Sequence, residues 1–307
     1  MSPIETWQQP LPHDGMVLSV RACGTPGRPV LMFLHGFPEG AWVWDGLMQH
    51  FAQPEHGGWR CVAPNLRGYE RSSAPADVRA YRPRHLVQDV RALVDIVCGQ
   101  GQRLGALVAH DWGGAVAWNL ANQHPECLRA LVILNAPHPG TLLRELQHNP
   151  AQQAASAYMH ELAAPGAAAR LSANDFAALF ATLEAGRPAP WLTQAVRAQY
   201  RSVWQHGLQG ALNYYAATPL RPPRPDAPAA QAVSLPPEAW RIEVPTLLLW
   251  GQQDHALLPA LTEGLSAHIP QLHTVPLPEL SHWGLHEDPA RIGAEIEGFL
   301  ERLGPPQ

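Results

Sequence analysis

The chain has 307 residues, 46% of them hydrophobic and 15% charged, with a formal charge of -5; these are the proportions of a globular protein with a sizeable core, not of a disordered one. The acidic balance argues against a nucleic-acid footprint, and all 21 basic residues are arginine, which excludes a Schiff-base lysine and a P-loop lysine. The four cysteines, Cys23, Cys61, Cys98 and Cys127, show neither a Cys-x-x-Cys pair nor metal-ligand spacing, so reduced thiols are expected, and no metal or other cofactor.

The first residues, Met1-Ser2-Pro3-Ile4-Glu5, lack the basic and apolar pattern of a secretory leader. No apolar stretch reaches the ~18 residues of a membrane span. A cytoplasmic protein without membrane contact is expected. Val30-Leu31-Met32-Phe33-Leu34 is the first strong central strand, followed by Trp59-Arg60-Cys61-Val62-Ala63-Pro64. Residues 85–98 read as an amphipathic helix with Leu86, Val90, Leu93, Val94 and Val97 on one face. Leu104 to Ala109 and Leu128 to Leu134 are further strands, with a helix over 114–123 between them. Alternation of this kind predicts an α/β fold with a mostly parallel sheet and helices on both faces.

From about His138 to Trp240 the chain turns alanine-rich and helical, with Pro/Gly stops and the Arg221-Pro222-Pro223-Arg224-Pro225 run, read as a shaped loop. Strands return at Val244 to Trp250 and His273 to Val275, and a last helix runs from Ala290 to Leu303. The predicted organisation is a core over 1–137, a helical insertion over 138–240 and the rest of the core over 241–307.

Leu104 to Gly114 contains a buried strand, a sharp turn and a helix start, with Asp111 between the small residues Ala109 and Gly113. That is the form of a nucleophile elbow, here carrying a carboxylate instead of a serine. Serine needs a base to remove its proton; an aspartate is ionised already at neutral pH. The base is then free to activate water. Against a carbonyl a carboxylate forms an unstable anhydride, whereas against a saturated carbon bearing a leaving group it forms an alkyl ester that water can cleave. Epoxides and alkyl halides are the corresponding substrates. The ordinary alternative is that Asp111 only caps the next helix.

Asp254 follows the strand ending at Trp250, at a carboxyl edge where open α/β sheets place their sites. His282 lies in the loop after the last strand, so the chain order is nucleophile, acid, histidine. His282 is the expected base, with Asp254 fixing its tautomer. His110, His255 and His286 are competing choices among 16 histidines. Main-chain N–H groups of Phe37 and Trp112 are the expected oxyanion hole, and His35, Pro38, Trp112 and Trp283 the expected substrate contacts.

Together, His35-Gly36-Phe37-Pro38-Glu39, Leu66-Arg67-Gly68-Tyr69, His110-Asp111-Trp112-Gly113-Gly114, Asn135-Ala136-Pro137-His138-Pro139, Trp250-Gly251-Gln252-Gln253-Asp254 and His282-Trp283 resemble the α/β-hydrolase family, in detail its epoxide hydrolase branch. The resemblance implies that the helical insertion is a cap over the nucleophile, and that two cap tyrosines bind the epoxide oxygen. Tyr215 matches the second of these and Tyr158 the spacing of the first, with Tyr200 and Tyr214 as neighbouring alternatives. An epoxide needs such donors because its leaving group is an alkoxide; a halide does not. Asn65 and Glu70 stand where family members often have Asp and Gly. The resemblance thus implies hydrolysis of an apolar epoxide to a vicinal diol through an Asp111 ester. A haloalkane or haloacid dehalogenase of the same fold is the alternative, and a non-catalytic ligand-binding protein the second. Trp191, Trp204, Phe176, Phe180 and Leu208 could line an apolar pocket, although aromatic residues at helical spacing more often form core. Homo-oligomerisation is open.

Overall fold

The computed structural model describes residues 2–186, 188–225 and 228–305. Its strands and helices, in chain order, are β1 (Glu5–Pro10), β2 (Val17–Cys23), β3 (Val30–Leu34), α1 (Asp45–Phe51), β4 (Arg60–Pro64), α2 (Pro83–Cys98), β5 (Ala106–His110), α3 (Asp111–Gln123) and β6 (Leu131–Leu134). Six helices follow: α4 (Pro139–His148), α5 (Pro150–Ala155), α6 (Tyr158–Ala163), α7 (Ala167–Glu184), α8 (Gln194–Trp204) and α9 (Gln209–Ala217). The chain then returns through β7 (Thr246–Gly251), β8 (Leu272–Leu277), α10 (Gly284–Glu287) and α11 (Pro289–Arg302).

The eight strands form one sheet in the order β1-β2-β4-β3-β5-β6-β7-β8. β3 pairs in parallel with β4 and β5, and the parallel run continues through β6, β7 and β8. β1 and β2 join antiparallel at one edge. Neither belongs to the expected strands, and the reason is visible in β1: Glu-Thr-Trp-Gln-Gln-Pro is mostly exposed and has no apolar alternation to read. Central strands are the opposite case, because all residues of β3, β5 and β7 are buried, as strands covered on both faces must be.

Side-chain alternation distributes the core between those faces. Leu31 and Phe33 join Ala106 and Val108 in a cluster with Leu47, Met48 and Phe51 of α1 and Ile292, Ile296 and Phe299 of α11. Met32 and Leu34 point the other way, with Leu107 and Ala109, into a cluster with Val90 and Leu93 of α2 and Val116 and Leu120 of α3. The second cluster runs on into the helices between β6 and β7 through Met159, Leu179, Tyr200 and Tyr215. These helices are therefore packed against the core on the α3 side. Expected boundaries shift by a few residues at β5 and β6, where Leu104 and Leu128 form only an isolated bridge ahead of the strands. All four cysteines are free thiols.

Candidate active site

β5 delivers the chain to Asp111 at the carboxyl edge of the sheet, and the elbow there is tight. Asp111 has φ 50, a left-handed value for a non-glycine residue at the first position of α3. The turn leaves no room for side chains around it. A Cβ on Gly36 would lie 2.3 Å from the Asp111 Cβ, and one on Gly113 would lie 2.4 Å from the Leu34 carbonyl oxygen. Ala109 is accommodated because it stays in extended strand backbone within β5.

The Phe37 N–H donates to Asp111 Oδ1 at 2.7 Å, and His282 Nε2 lies 3.8 Å from Oδ2. One carboxylate oxygen is thus held and the other faces the imidazole. His282 Nδ1 contacts Asp254 Oδ2 at 2.7 Å, an arrangement that presents Nε2 toward Asp111. Asp254 is itself fully satisfied: Ala256 and Leu257 N–H groups donate to Oδ1, each at 2.9 Å, and the Asn135 amide donates to Oδ2 at 2.9 Å. Burial raises the Asp254 carboxyl, but His282 and these donors outweigh it and hold it below its usual range. Burial likewise pulls the His282 imidazole down, while Asp254, Asp111 and Glu39 overcome it and hold the ring at about 9.

Asn135 was not among the expected site residues, although it stands inside one of the quoted motifs. It directly follows β6 with φ 35, accepts the Gly251 N–H at 2.8 Å and ties the end of β6 to the Asp254 loop. Its only sequence signal is a polar residue directly after an apolar strand. Glu39 was missed for a similar reason. It is completely buried and bonded to His110 Nδ1 at 3.1 Å, His286 Nε2 at 2.6 Å and the Tyr200 hydroxyl at 3.0 Å. Burial raises this carboxyl, and the two histidine hydrogen bonds drive it well below the usual range.

The rival histidines are consequently accounted for. His110 contacts the His282 carbonyl oxygen through Nε2 at 2.9 Å, so it bridges Glu39 to the backbone of the candidate base. His286 is held by Glu39 and Tyr200. His255 lines a cavity near Asp254, but no hydrogen bond of its ring directs it at Asp111 among the described residues.

Two apolar cavities, about 220 Å³ and 230 Å³, share Asp111, Tyr158 and Tyr215 as lining. The first extends past Trp112, Leu142, Met159 and Trp240, the second past Phe37, Leu162, Leu179, His282 and Trp283. Tyr215 is buried edge-on against Trp112 and Phe37, with ring centroids 5.1 and 5.3 Å away. Tyr158, 6.1 Å from it, is 37% exposed and lines both cavities. Burial, with Asp111 adding to it, pushes both phenols above their ordinary range. Tyr214 and Tyr200 take other partners: the Arg67 carbonyl oxygen at 2.9 Å and Glu39.

Some of the expected residues lie off the two cavities. His35 and Pro38 line neither cavity. His35 is fully buried with Nε2 accepting the Leu66 N–H at 3.1 Å, and burial lowers it to about 4; the Pro38 carbonyl accepts the Trp204 indole at 2.6 Å. Both of these bonds hold the loop that follows β3. Trp191, Trp204, Phe176, Phe180 and Leu208 also fall outside both linings. Trp204 packs on Phe176, Phe180 and Tyr200, and Trp191 stacks on His286 at 4.3 Å, so these aromatics build the interior of the helical layer. Trp112 and Trp283 do line the cavities. Asn65 and Glu70, the unusual pair, bond to each other, and Glu70 takes a left-handed φ of 48 while accepting the Ser19 hydroxyl at 3.0 Å. Those bonds hold a conformation that glycine would adopt without strain.

A family profile described as alpha/beta hydrolase fold matches residues 29–289. Among curated proteins, the AB hydrolase superfamily protein YfhM of Bacillus subtilis (strain 168) is 31% identical over 292 residues, covering 94% of this chain and 96% of the relative. Epoxide hydrolase 4 of Mus musculus is 30% identical over 297 residues, covering 94% of this chain and 77% of the relative. Of solved structures, one of novel epoxide hydrolases of the alpha/beta hydrolases superfamily, found in metagenomes from hot environments, superposes with a TM-score of 0.83 at 36% identity, over 96% of this chain and 98% of its own. Bacillus megaterium epoxide hydrolase in complex with an inhibitor superposes with a TM-score of 0.81 at 27% identity, over 92% and 97% of the two chains. No helix among the described residues is long and apolar enough to cross a membrane.

Proposed function

The chain belongs to the α/β-hydrolase family, in its epoxide hydrolase branch, and on that premise we propose that it hydrolyses small apolar epoxides to vicinal diols through a covalent ester on Asp111. Residues 138–240 are then the cap, and Tyr158 and Tyr215 its oxygen-binding pair. The observation that carries this reading is one carboxylate with three kinds of neighbour: an amide donor on one oxygen, an Asp-oriented imidazole beside the other, and two phenols sharing its cavities. Asp111 attacks an epoxide carbon, the C–O bond breaks, and a phenol proton passes to the released oxygen. Raised phenol pKa values keep that proton in place until alkoxide character develops. His282 next takes a proton from water as its oxygen adds to the ester carbonyl, whose oxyanion rests on the Phe37 and Trp112 amides. Collapse releases the diol, which takes the proton from His282, and the Asp111 carboxyl returns its proton to the tyrosinate. Two apolar chambers meeting at Asp111 support a substrate with a substituent on either side of the ring. Dehalogenation would leave both phenols without a task.

A single turnover in water carrying the heavy oxygen isotope tests this reading. Label is expected in the Asp111 carboxylate and not in the first diol, because the diol keeps an aspartate oxygen. Label in the diol from the first turnover would mean that water opens the ring directly.

The pH dependence has a defined sign. His282 must be neutral to act as a base, so its working fraction increases as pH approaches about 9 in the free protein. Esterification removes the Asp111 charge, one of the groups that raise this value, so the ring releases its proton more easily in the intermediate. Ester hydrolysis followed in single turnover is expected to rise to a plateau with a midpoint below that of the His282 ring in the free protein, measured by NMR. An equal or higher midpoint would contradict the proposed ester.

A further inference from the structure

A second cluster of side chains lies at the opposite edge of the sheet. His50 is on the last turn of α1, His56 on the short turn that leads into β4, and Glu297 on α11. One donor atom from each falls within 4.8 Å of the others. His56 Nδ1 is 2.9 Å from Glu297 Oε1 and His50 Nε2 is 3.5 Å from Oε2, so each carboxylate oxygen faces its own imidazole. The two rings are stacked, with centroids 3.7 Å apart and planes 26° from parallel. The side chains are only about a third exposed or less, at 32%, 30% and 26%.

We propose that His50, His56 and Glu297 bind a divalent transition-metal ion of the zinc class. A simple ion pair accounts for only part of the arrangement. The His56 contact occupies one carboxylate oxygen, but beyond its 3.5 Å approach to Glu297 the buried His50 Nε2 has no hydrogen-bond partner among the described residues, and an orphaned buried nitrogen is costly. A cation between the three groups would satisfy that nitrogen and the carboxylate together. Ligand atoms about 2.0–2.1 Å from zinc at tetrahedral angles stand roughly 3.3 Å apart, and the two observed nitrogen–oxygen distances fall on either side of that separation. Two imidazoles and one carboxylate suit zinc, cobalt or nickel; calcium and magnesium prefer oxygen alone. A cavity of about 380 Å³, lined by His56, Glu297, Glu55 and Glu301, adjoins the cluster and supplies an entry path and room for a water ligand.

The ion would clamp α1 and the following turn to the last helix, a link across 241 residues of chain. His56 precedes the start of β4, while Asp111 follows the end of β5, which runs the same way in the sheet. The clamp is therefore remote from the reaction and should act on stability alone. Calorimetric titration of zinc chloride into the untagged protein is expected to show one site per chain, together with a rise in the thermal unfolding midpoint. Loss of even an outer ligand-orienting group costs roughly 10–100-fold in metal affinity, so His56→Ala should lose at least that much, and Glu297→Gln, which keeps the shape of the side chain, should weaken binding in the same direction. Unchanged turnover with abolished zinc stabilisation in both variants would support the site. Equal zinc binding by wild type and both variants, or none by wild type, would overturn it.

Discussion

A His282→Gln variant is expected to stall after the first chemical step, with an alkyl ester accumulating on Asp111 when styrene oxide is added. In the proposed reaction, ester formation uses the carboxylate and the phenols but not His282, and Asp111 is held by the Phe37 amide independently of that ring. Its hydrolysis does require the base, and removal of a general acid–base group typically costs ~10²–10⁴ in rate. Glutamine approximates the size of the imidazole and can still contact Asp254, so the loop should stay in place. Intact mass should increase by that of the whole epoxide, and peptide mapping should put the increase at Asp111. A butyl adduct from 1-bromobutane without any epoxide adduct would transfer the assignment to dehalogenation. An unmodified variant, exposed to an epoxide that the wild type consumes, would sink the covalent step.

The double replacement Tyr158→Phe and Tyr215→Phe should have the larger effect on the preceding step. Both phenols line the two chambers beside Asp111, and an alkoxide departs badly without a donor. With one phenol left, the remaining hydroxyl still supports the oxygen, so each single variant should lose less than the pair. Ring opening in the double variant is expected to fall by the full ~10²–10⁴ associated with general-acid assistance, measured as the rate of ester formation in the His282→Gln background. Hydroxyl loss leaves ring packing against Trp112 and Phe37 intact. The control is an alkyl halide, whose leaving group needs no proton. Equal losses on both substrates would reduce the phenols to packing groups.

Much of the central sheet was legible because its strands are buried on both faces and read as continuous apolar runs. β1 was not, since its polar sequence becomes a strand only by pairing with β2. At the site, Asp111, Asp254 and His282 each stand just beyond a recognisable strand, and the sequence order of these elements places them at one edge. Asn135 shares that position beyond β6, but an amide there, like a carboxylate at Glu39, has no chemistry of its own that marks a role. Each acquires its role from partners more than seventy residues away, Gly251 and Asp254 for one and His110 and His286 for the other. The helical aromatics were left open between pocket lining and core for a related reason: helical spacing identifies which side chains are covered, not whether a core or a cavity covers them.

By itself the sequence determined the α/β alternation, the carboxylate on the elbow and the order of Asp111, Asp254 and His282 along the chain, because local periodicity and turn chemistry act over a few residues. Only the tertiary structure decided which histidine faces Asp111, which tyrosines share its cavities and what holds Asp254. Those choices depend on distances of 2.7 to 3.8 Å between groups on the loops and the elbow that follow different strands, and packing of the whole chain is what sets them.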